Sequence, residues 1–141
     1  MTAPQLDPDR SRHRWLEHTS EEELLIEAES PEAIFAEALA ALAELLDAPH
    51  GAGRQLQDIS LAARDLPTLL AAWLDELVYR AETDGFIAEK LARVELAGTR
   101  LTATVRGRGA TGRTVVKGIT YNRLQMERLG DRWRARVVLD V

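Results

Sequence analysis

With 141 residues, 45% of them hydrophobic and 29% charged, the chain has the length and composition of one globular domain, and no apolar run approaches the roughly 18 residues of a membrane span. It contains no cysteine, which excludes disulfides, thiol catalysis and thiolate metal sites, so a metal would have to be held by oxygen or by the three histidines. A net charge of −5 excludes a uniformly basic nucleic-acid glove, yet residues 17–47 are acidic while residues 100–136 are rich in arginine, an asymmetry that fits either a polar partner surface or the solvent faces of strands.

Residues 1–11 read as a flexible tail, polar and without an apolar signal core, so a cytoplasmic location is the default expectation; residues 12–141 read as a single domain. A first strand is expected over Arg12–His18. A second carries Leu24, Ile26 and Ala28 on one face by period-two alternation. Ser30-Pro31-Glu32 then signals a helix start, with serine as cap, proline where its missing N–H costs nothing, and glutamate at the positive dipole end. Ile34, Phe35, Ala38, Leu39, Leu42, Leu45 and Leu46 form its apolar stripe, and the helix is expected to stop near Asp47, ahead of a loop over Pro49–Gly53.

Leu56, Ile59 and Leu61 suggest a third strand, with a bulge in it to explain the irregular alternation. Asp65 is the cap of a second helix, whose stripe is Leu66, Leu69, Leu70, Trp73, Leu74, Leu77 and Val78 and whose stop is Gly85. From Lys90 the period changes to two. Val94 and Leu96 fit one strand and Leu101, Ala103 and Val105 the next, joined through Gly98-Thr99. Arg106–Thr114 reads as a flexible glycine-rich loop, Val115–Asn122 and Arg123–Leu129 as extended, and Gly130-Asp131 as a hairpin turn. Trp133, Ala135, Val137 and Leu139 alternate to the last residue. Two amphipathic helices among seven or eight strands joined by short turns give an α+β class, with antiparallel sheets forming a two-sheet sandwich or one strongly curved sheet.

Four segments in this order resemble the archease family: Arg14-Trp15-Leu16-Glu17-His18-Thr19, Trp73-Leu74-Asp75-Glu76-Leu77, Lys117-Gly118-Ile119-Thr120-Tyr121, and Arg134 through Val141 with its penultimate Asp140. Each motif alone is weak, and their order and spacing make the set specific. The resemblance implies a non-enzymatic cofactor that stimulates a GTP-dependent RNA ligase, one that joins 2′,3′-cyclic phosphate and 5′-hydroxyl ends in tRNA splicing or RNA repair. It would promote guanylylation and repeated turnover of that ligase, and its own contact with RNA would be indirect or weak. The resemblance also implies a divalent-cation site, for calcium or alternatively magnesium, formed here by Glu21, Asp140 and the carboxylate of Val141. Lys117, His18 and Asp75 fall where activation or partner contact is expected. The sequence departs from the family pattern at Glu21, which stands for the turn aspartate, and at Asn122, which stands for a histidine.

The chemistry of these residues agrees with either a site or an ordinary surface. Calcium and magnesium take oxygen ligands, and converging carboxylates repel one another unless a cation or basic group sits among them. Against that, Glu21 is one of three consecutive glutamates that solvation alone would explain. Asp140 is less expected in an apolar strand. Lys117, between Val116 and Ile119, is either snorkelling to solvent or paired. Trp73 falls on the helix stripe and reads as core. The three histidines show no metal spacing, so zinc is not expected. Arg106–Arg113 lacks the Lys-Ser/Thr pair of a phosphate loop and reads as a hairpin loop or, alternatively, a short arginine–glycine contact for RNA or ligase. No Gly-x-Ser-x-Gly element accompanies the four serines, which leaves a hydrolase without a nucleophile. The two competing expectations are a cation-dependent ligase cofactor and a metal-independent, chaperone-like interaction module of the same fold.

Overall fold

Both helices begin and end where side chains or left-handed residues take up the backbone groups that a helix end leaves open. In the computed structural model, which describes residues 10–18, 20–49 and 51–141, the Ser30 hydroxyl accepts from the Ala33 N–H at 3.1 Å to cap α1 (Pro31–Leu46), and Asp47 closes it at φ +50°. Asp65 caps α2 (Leu66–Asp84) through the Thr68 N–H at 2.9 Å, and Gly85 closes it at φ +64°. The expected tail over residues 1–9, Thr19 and His50 lie outside the described residues, as does the side chain of His18.

Seven strands are described: β1 (Arg12–His18), β2 (Glu21–Ala28), β3 (Gln55–Ala62), β4 (Phe86–Ala97), β5 (Arg100–Gly109), β6 (Gly118–Leu129) and β7 (Arg132–Asp140). They form a four-stranded sheet in the order β1-β2-β7-β6 and a three-stranded sheet in the order β3-β5-β4, and every pairing is antiparallel. Helix α1 touches β1, β2 and β7 of the first sheet and β4 of the second, while α2 touches β6 of the first and β3 and β4 of the second. Each helix therefore ties the two sheets together.

The expected alternation explains what lies inside. Leu24, Ile26 and Ala28 of β2 and Ala135, Val137 and Leu139 of β7 turn one face of the larger sheet into the core, where they meet Ile34, Phe35, Ala38 and Leu42 of α1. Trp73 is fully buried. Its indole N–H donates to the Phe35 carbonyl at 3.0 Å and its ring meets the Phe35 ring edge-on, with centroids 6.3 Å apart, so the two helices are locked by one polar and one aromatic contact.

Four expectations are corrected. First, β4 starts at Phe86, four residues before Lys90. Phe86, Ile87 and Ala88 are all buried, and the register shifts at Ala88/Lys90 and Leu91/Arg93 break the period-two signal there. Second, β3 pairs with β5 without a bulge; Leu56 points outward and is 58% exposed, which is the whole cause of its irregular pattern. Third, Arg106–Gly109 belongs to β5, and only residues 110–117 form the connection to β6. Arg108 is held by Glu89 at 3.3 Å and donates to the Pro49 carbonyl, while the other Glu89 oxygen accepts from the Gly53 N–H at 2.9 Å, so this arginine fastens the loop after α1. A Cβ on the buried Gly107 would stand 2.0 Å from the Ile87 carbonyl oxygen, so glycine is needed there for close strand approach. Fourth, residues 115–117 precede the strand, and β6 runs from Gly118 to Leu129 as one interrupted strand. No helix among the described residues is long and apolar enough to cross a membrane.

Candidate functional site

The sequence-predicted residues meet at one end of the four-stranded sheet. The register places His18 opposite Glu21, Glu21 opposite Asp140, and Asp140 opposite Gly118, a single row across β1, β2, β7 and β6. Directly opposite residues of antiparallel strands project to the same face, so the Glu21 and Asp140 carboxylates share one side of the sheet. Two further backbone bonds close the corner: the Lys117 N–H donates to the Asp140 carbonyl at 2.7 Å, and the Val141 N–H donates to the Ser20 carbonyl at 3.1 Å. Ser20 turns the chain at φ +63° between β1 and β2. The last two residues are thus clamped between the first turn and the segment entering β6.

Lys117 lies one residue before β6 rather than within it, is exposed, and has no ion pair among the described residues. Asp75 reaches the same region from α2, which packs against β6. Asp75 is exposed, yet the protein packed around its base desolvates the carboxyl and pushes it above the ordinary value, while the Ile119 backbone N–H beside it pulls in the opposite direction. The row and α2 therefore bring Glu21, Asp140, Val141, Lys117 and Asp75 to one corner, with the backbone of His18 beside Glu21.

Sequence reasoning missed the positive side of the corner. Between Thr120 and Gln125, β6 covers five positions while β7 covers only two, from Val138 to Arg136. Arg123 sits in this irregular stretch at φ +60°, a conformation that non-glycine residues rarely adopt. Its guanidinium lies 3.8 Å from Glu21 and 3.8 Å from Glu23, and Arg136 stands 3.4 Å from Glu23 on the other flank. Glu23 is only 4% exposed, so the glutamate run is not uniformly solvated. Alternation carried the missing signal: Glu21 and Glu23 share one face of β2, opposite Asp140 and the buried Val138. The run of arginines gave no indication of which one folds back. Asn122 is exposed in the same stretch, its N–H donating to the Thr120 hydroxyl at 3.0 Å.

The corner offers oxygen donors, which suit a hard divalent cation. Among the described residues no three histidine, aspartate or glutamate side chains gather as metal ligands; the register brings only the Glu21 and Asp140 carboxylates together, next to Val141. Trp73 is core, as its place on the stripe predicts.

The fold and corner define an α+β protein of two antiparallel sheets bridged by two helices, with its chain end clamped against its first turn. Residues 13–141 match the Archease protein family (MTH1598/TM1083), and the chain belongs to that family. It is 28% identical over 140 residues to the archease of Methanosarcina mazei, covering 92% of this chain and 96% of the relative. It is 30% identical over 135 residues to that of Methanopyrus kandleri, covering 89% and 96%. The solution structure of Methanobacterium thermoautotrophicum protein 1598 has the same fold, with a TM-score of 0.71 at 20% identity, covering 92% of this chain and 98% of that one. A Thermotoga maritima crystal structure, described as an archease and possible chaperone, gives 0.68 at 24% identity, covering 89% and 94%.

Proposed function

We propose that this protein is a non-enzymatic activator of a GTP-dependent RNA ligase, promoting the ligase's guanylylation and multiple turnover in tRNA splicing or RNA repair. The observation that carries this reading is the strand row that sets Glu21 opposite Asp140, with Val141 bonded to Ser20 and Lys117 bonded to the Asp140 carbonyl at its end. Calcium or magnesium held by Glu21, Asp140 and an oxygen of Val141 would neutralise their mutual repulsion there. Lys117 keeps an exposed ammonium at the rim, with no ion pair among the described residues, suited to a phosphate or to an acidic residue of the ligase. Asp75 is a partner contact at the same corner, and His18 is assigned one on its sequence motif alone. Membership in the archease family supports assigning the covalent chemistry to the ligase and the activation to this chain.

A second reading, a metal-independent interaction module with chaperone-like action, is favoured by Arg123. Its guanidinium already faces Glu21 and Glu23, so part of the acidic charge is balanced without a metal. One experiment separates the two. RNA joining is measured with the ligase limiting, with and without this protein, before and after chelation of divalent cations from this protein. The ligase reading expects product to exceed the ligase present, and expects the gain to vanish after chelation and in Asp140→Ala and Lys117→Ala. Stimulation that survives chelation supports the metal-independent module. Absence of any stimulation removes the ligase from the account.

A further inference from the structure

The larger sheet turns its second face away from the core, and arginines dominate it. Arg12 and Arg14 project there from β1, and Arg132, Arg134 and Arg136 from β7, with β2 between them. The register sets Arg14 and Arg136 on either side of Leu25, and Arg12 and Arg134 on either side of Glu27. A trough of about 500 Å³ opens over these six residues, with His13 and Ile26 also lining it. A separate, smaller hollow of about 270 Å³ lined by Arg10, Ser11, Arg12 and Arg132 shares Arg12 with it, which adds basic side chains along the same edge.

The trough carries four guanidiniums against one carboxylate. Arg12 is bonded to Glu27, Arg134 to Glu127 at 3.2 Å, and Arg10 to Glu29 at 3.0 Å. These are exposed pairs of small net worth that an incoming anion can exchange. Arg14 and Arg132 have no carboxylate partner among the described residues. The Arg136 Nε is buried without a hydrogen bond, although Glu23 lies 3.4 Å away. The field of the patch registers on Glu27, whose carboxyl is held below its ordinary value by the Arg12 hydrogen bond first, against an opposing desolvation, and then by the charges of Arg12, Arg132 and Arg134.

We propose that this trough binds the phosphodiester backbone of a single RNA strand. The guanidinium columns on β1 and β7 stand two strand spacings apart, about 10 Å, and successive arginines along a column about 7 Å apart. That is room for one backbone laid along the strands, with planar forks to grip its phosphates. A docked acidic peptide would need an apolar anchor, and Leu25 is the lone aliphatic side chain turned outward there, since Ile26 is fully buried on the core face. A polyanion needs none, since its binding is driven by charge and counterion release. Helix α1 carries Glu32, Glu37 and Glu44 with no basic residue, so its surface repels what this face attracts, while the smaller sheet exposes Lys90, Arg93, Arg100 and Arg106 and is the competing basic face that the Arg93 control addresses. The choice of RNA over DNA rests on the ligase reading; the phosphate chemistry does not.

The test uses the full chain alone, without ligase and with chelator present, so that its outcome is independent of ligase stimulation and of the cation site. Fluorescence anisotropy follows a short labelled single-stranded RNA at about 50 and 200 mM salt. Three phosphates neutralised would weaken binding about twentyfold across that range, at a slope of roughly −0.7 per phosphate. The double variant Arg14→Gln, Arg134→Gln should bind about tenfold less tightly with a shallower slope. Arg93→Gln, exposed on β4 of the other sheet, should leave binding unchanged. Thermal unfolding of Arg14→Gln should match the wild type, since that guanidinium holds no carboxylate. DNA of the same sequence should bind as well as the RNA, because phosphates alone are read. RNA binding that is absent, or equally strong in the double variant, overturns the proposal. So does a polyglutamate peptide that binds in a variant-sensitive way while RNA does not, which would reassign the face to an acidic protein segment.

Discussion

The two sheets do the same work on their inner faces and different work on their outer ones. Both present alternating aliphatic side chains to the helices, Ile59, Val94, Leu101, Ala103 and Val105 from the smaller and Leu24, Ile26, Val137 and Leu139 from the larger. The smaller sheet's outer face mixes hydroxyls and charges, with Thr104 donating to Asp58 at 2.8 Å across β5 and β3 and Lys90 opposite Arg106. Outward, the larger sheet carries long ionic columns, a wide irregularity in β6, a left-handed arginine and the clamped chain end. The contrast teaches that the interior is shared scaffolding, and that Glu21 and Asp140 of the candidate site share one face of the larger sheet with the basic trough, while Asp75 reaches the corner from the helix side. Substitutions in the scaffold should therefore cost stability, and substitutions on that face should cost function.

The largest effect should come from Trp73→Ala, which deletes the contact joining α1 to α2. Loss of a fully buried tryptophan should cost about 3–5 kcal/mol in chemical denaturation. A cost below that of an ordinary surface change would break the view of the helix pair as shared scaffold. Gly107→Ala should come next, at about 1–3 kcal/mol, because a Cβ there meets the Ile87 carbonyl in the smaller sheet. Ser30→Ala removes the acceptor of the Ala33 N–H and should cost about 1 kcal/mol by the same measurement.

The smallest effect concerns pH and separates the corner from the scaffold. Desolvation by the neighbouring protein holds the Asp75 carboxyl above its ordinary value of 3.8, so the folded chain keeps that proton more tightly than the unfolded one. Its contribution to stability is full below 3.8 and is lost as pH rises through the raised value. Asp75→Asn should flatten that part of the pH dependence when melting temperatures are compared from about pH 3.5 to 6. Parallel curves for variant and wild type would place Asp75 in ordinary solvent.

Much of this was legible in the sequence, for identifiable physical reasons. Ser30 and Asp65 announced both helix starts because a capping side chain is a local device. The stripes of α1 and α2 and the alternation of β7 followed from burial on one side only. What resisted reading was non-local. Phe86–Ala88 are buried together at a bulge, which erases the period. Arg108 looked like loop until Glu89 and Pro49, distant in sequence, fixed it within β5. The residues of the corner could be named from their motifs, but their convergence depends on the register of β2, β7 and β6. Arg123 and Glu23 carried no motif, and only the irregular stretch of β6 places the arginine over the glutamates.

The most direct test of the central claim is transfer of labelled GMP from GTP to the RNA ligase, followed with catalytic amounts of this protein and of its Asp140→Ala variant. The account predicts faster formation of guanylylated ligase with the wild-type chain and no acceleration with the variant, whose unfolding midpoint should be unchanged. Equal acceleration by both, or none by the wild-type chain, would contradict it.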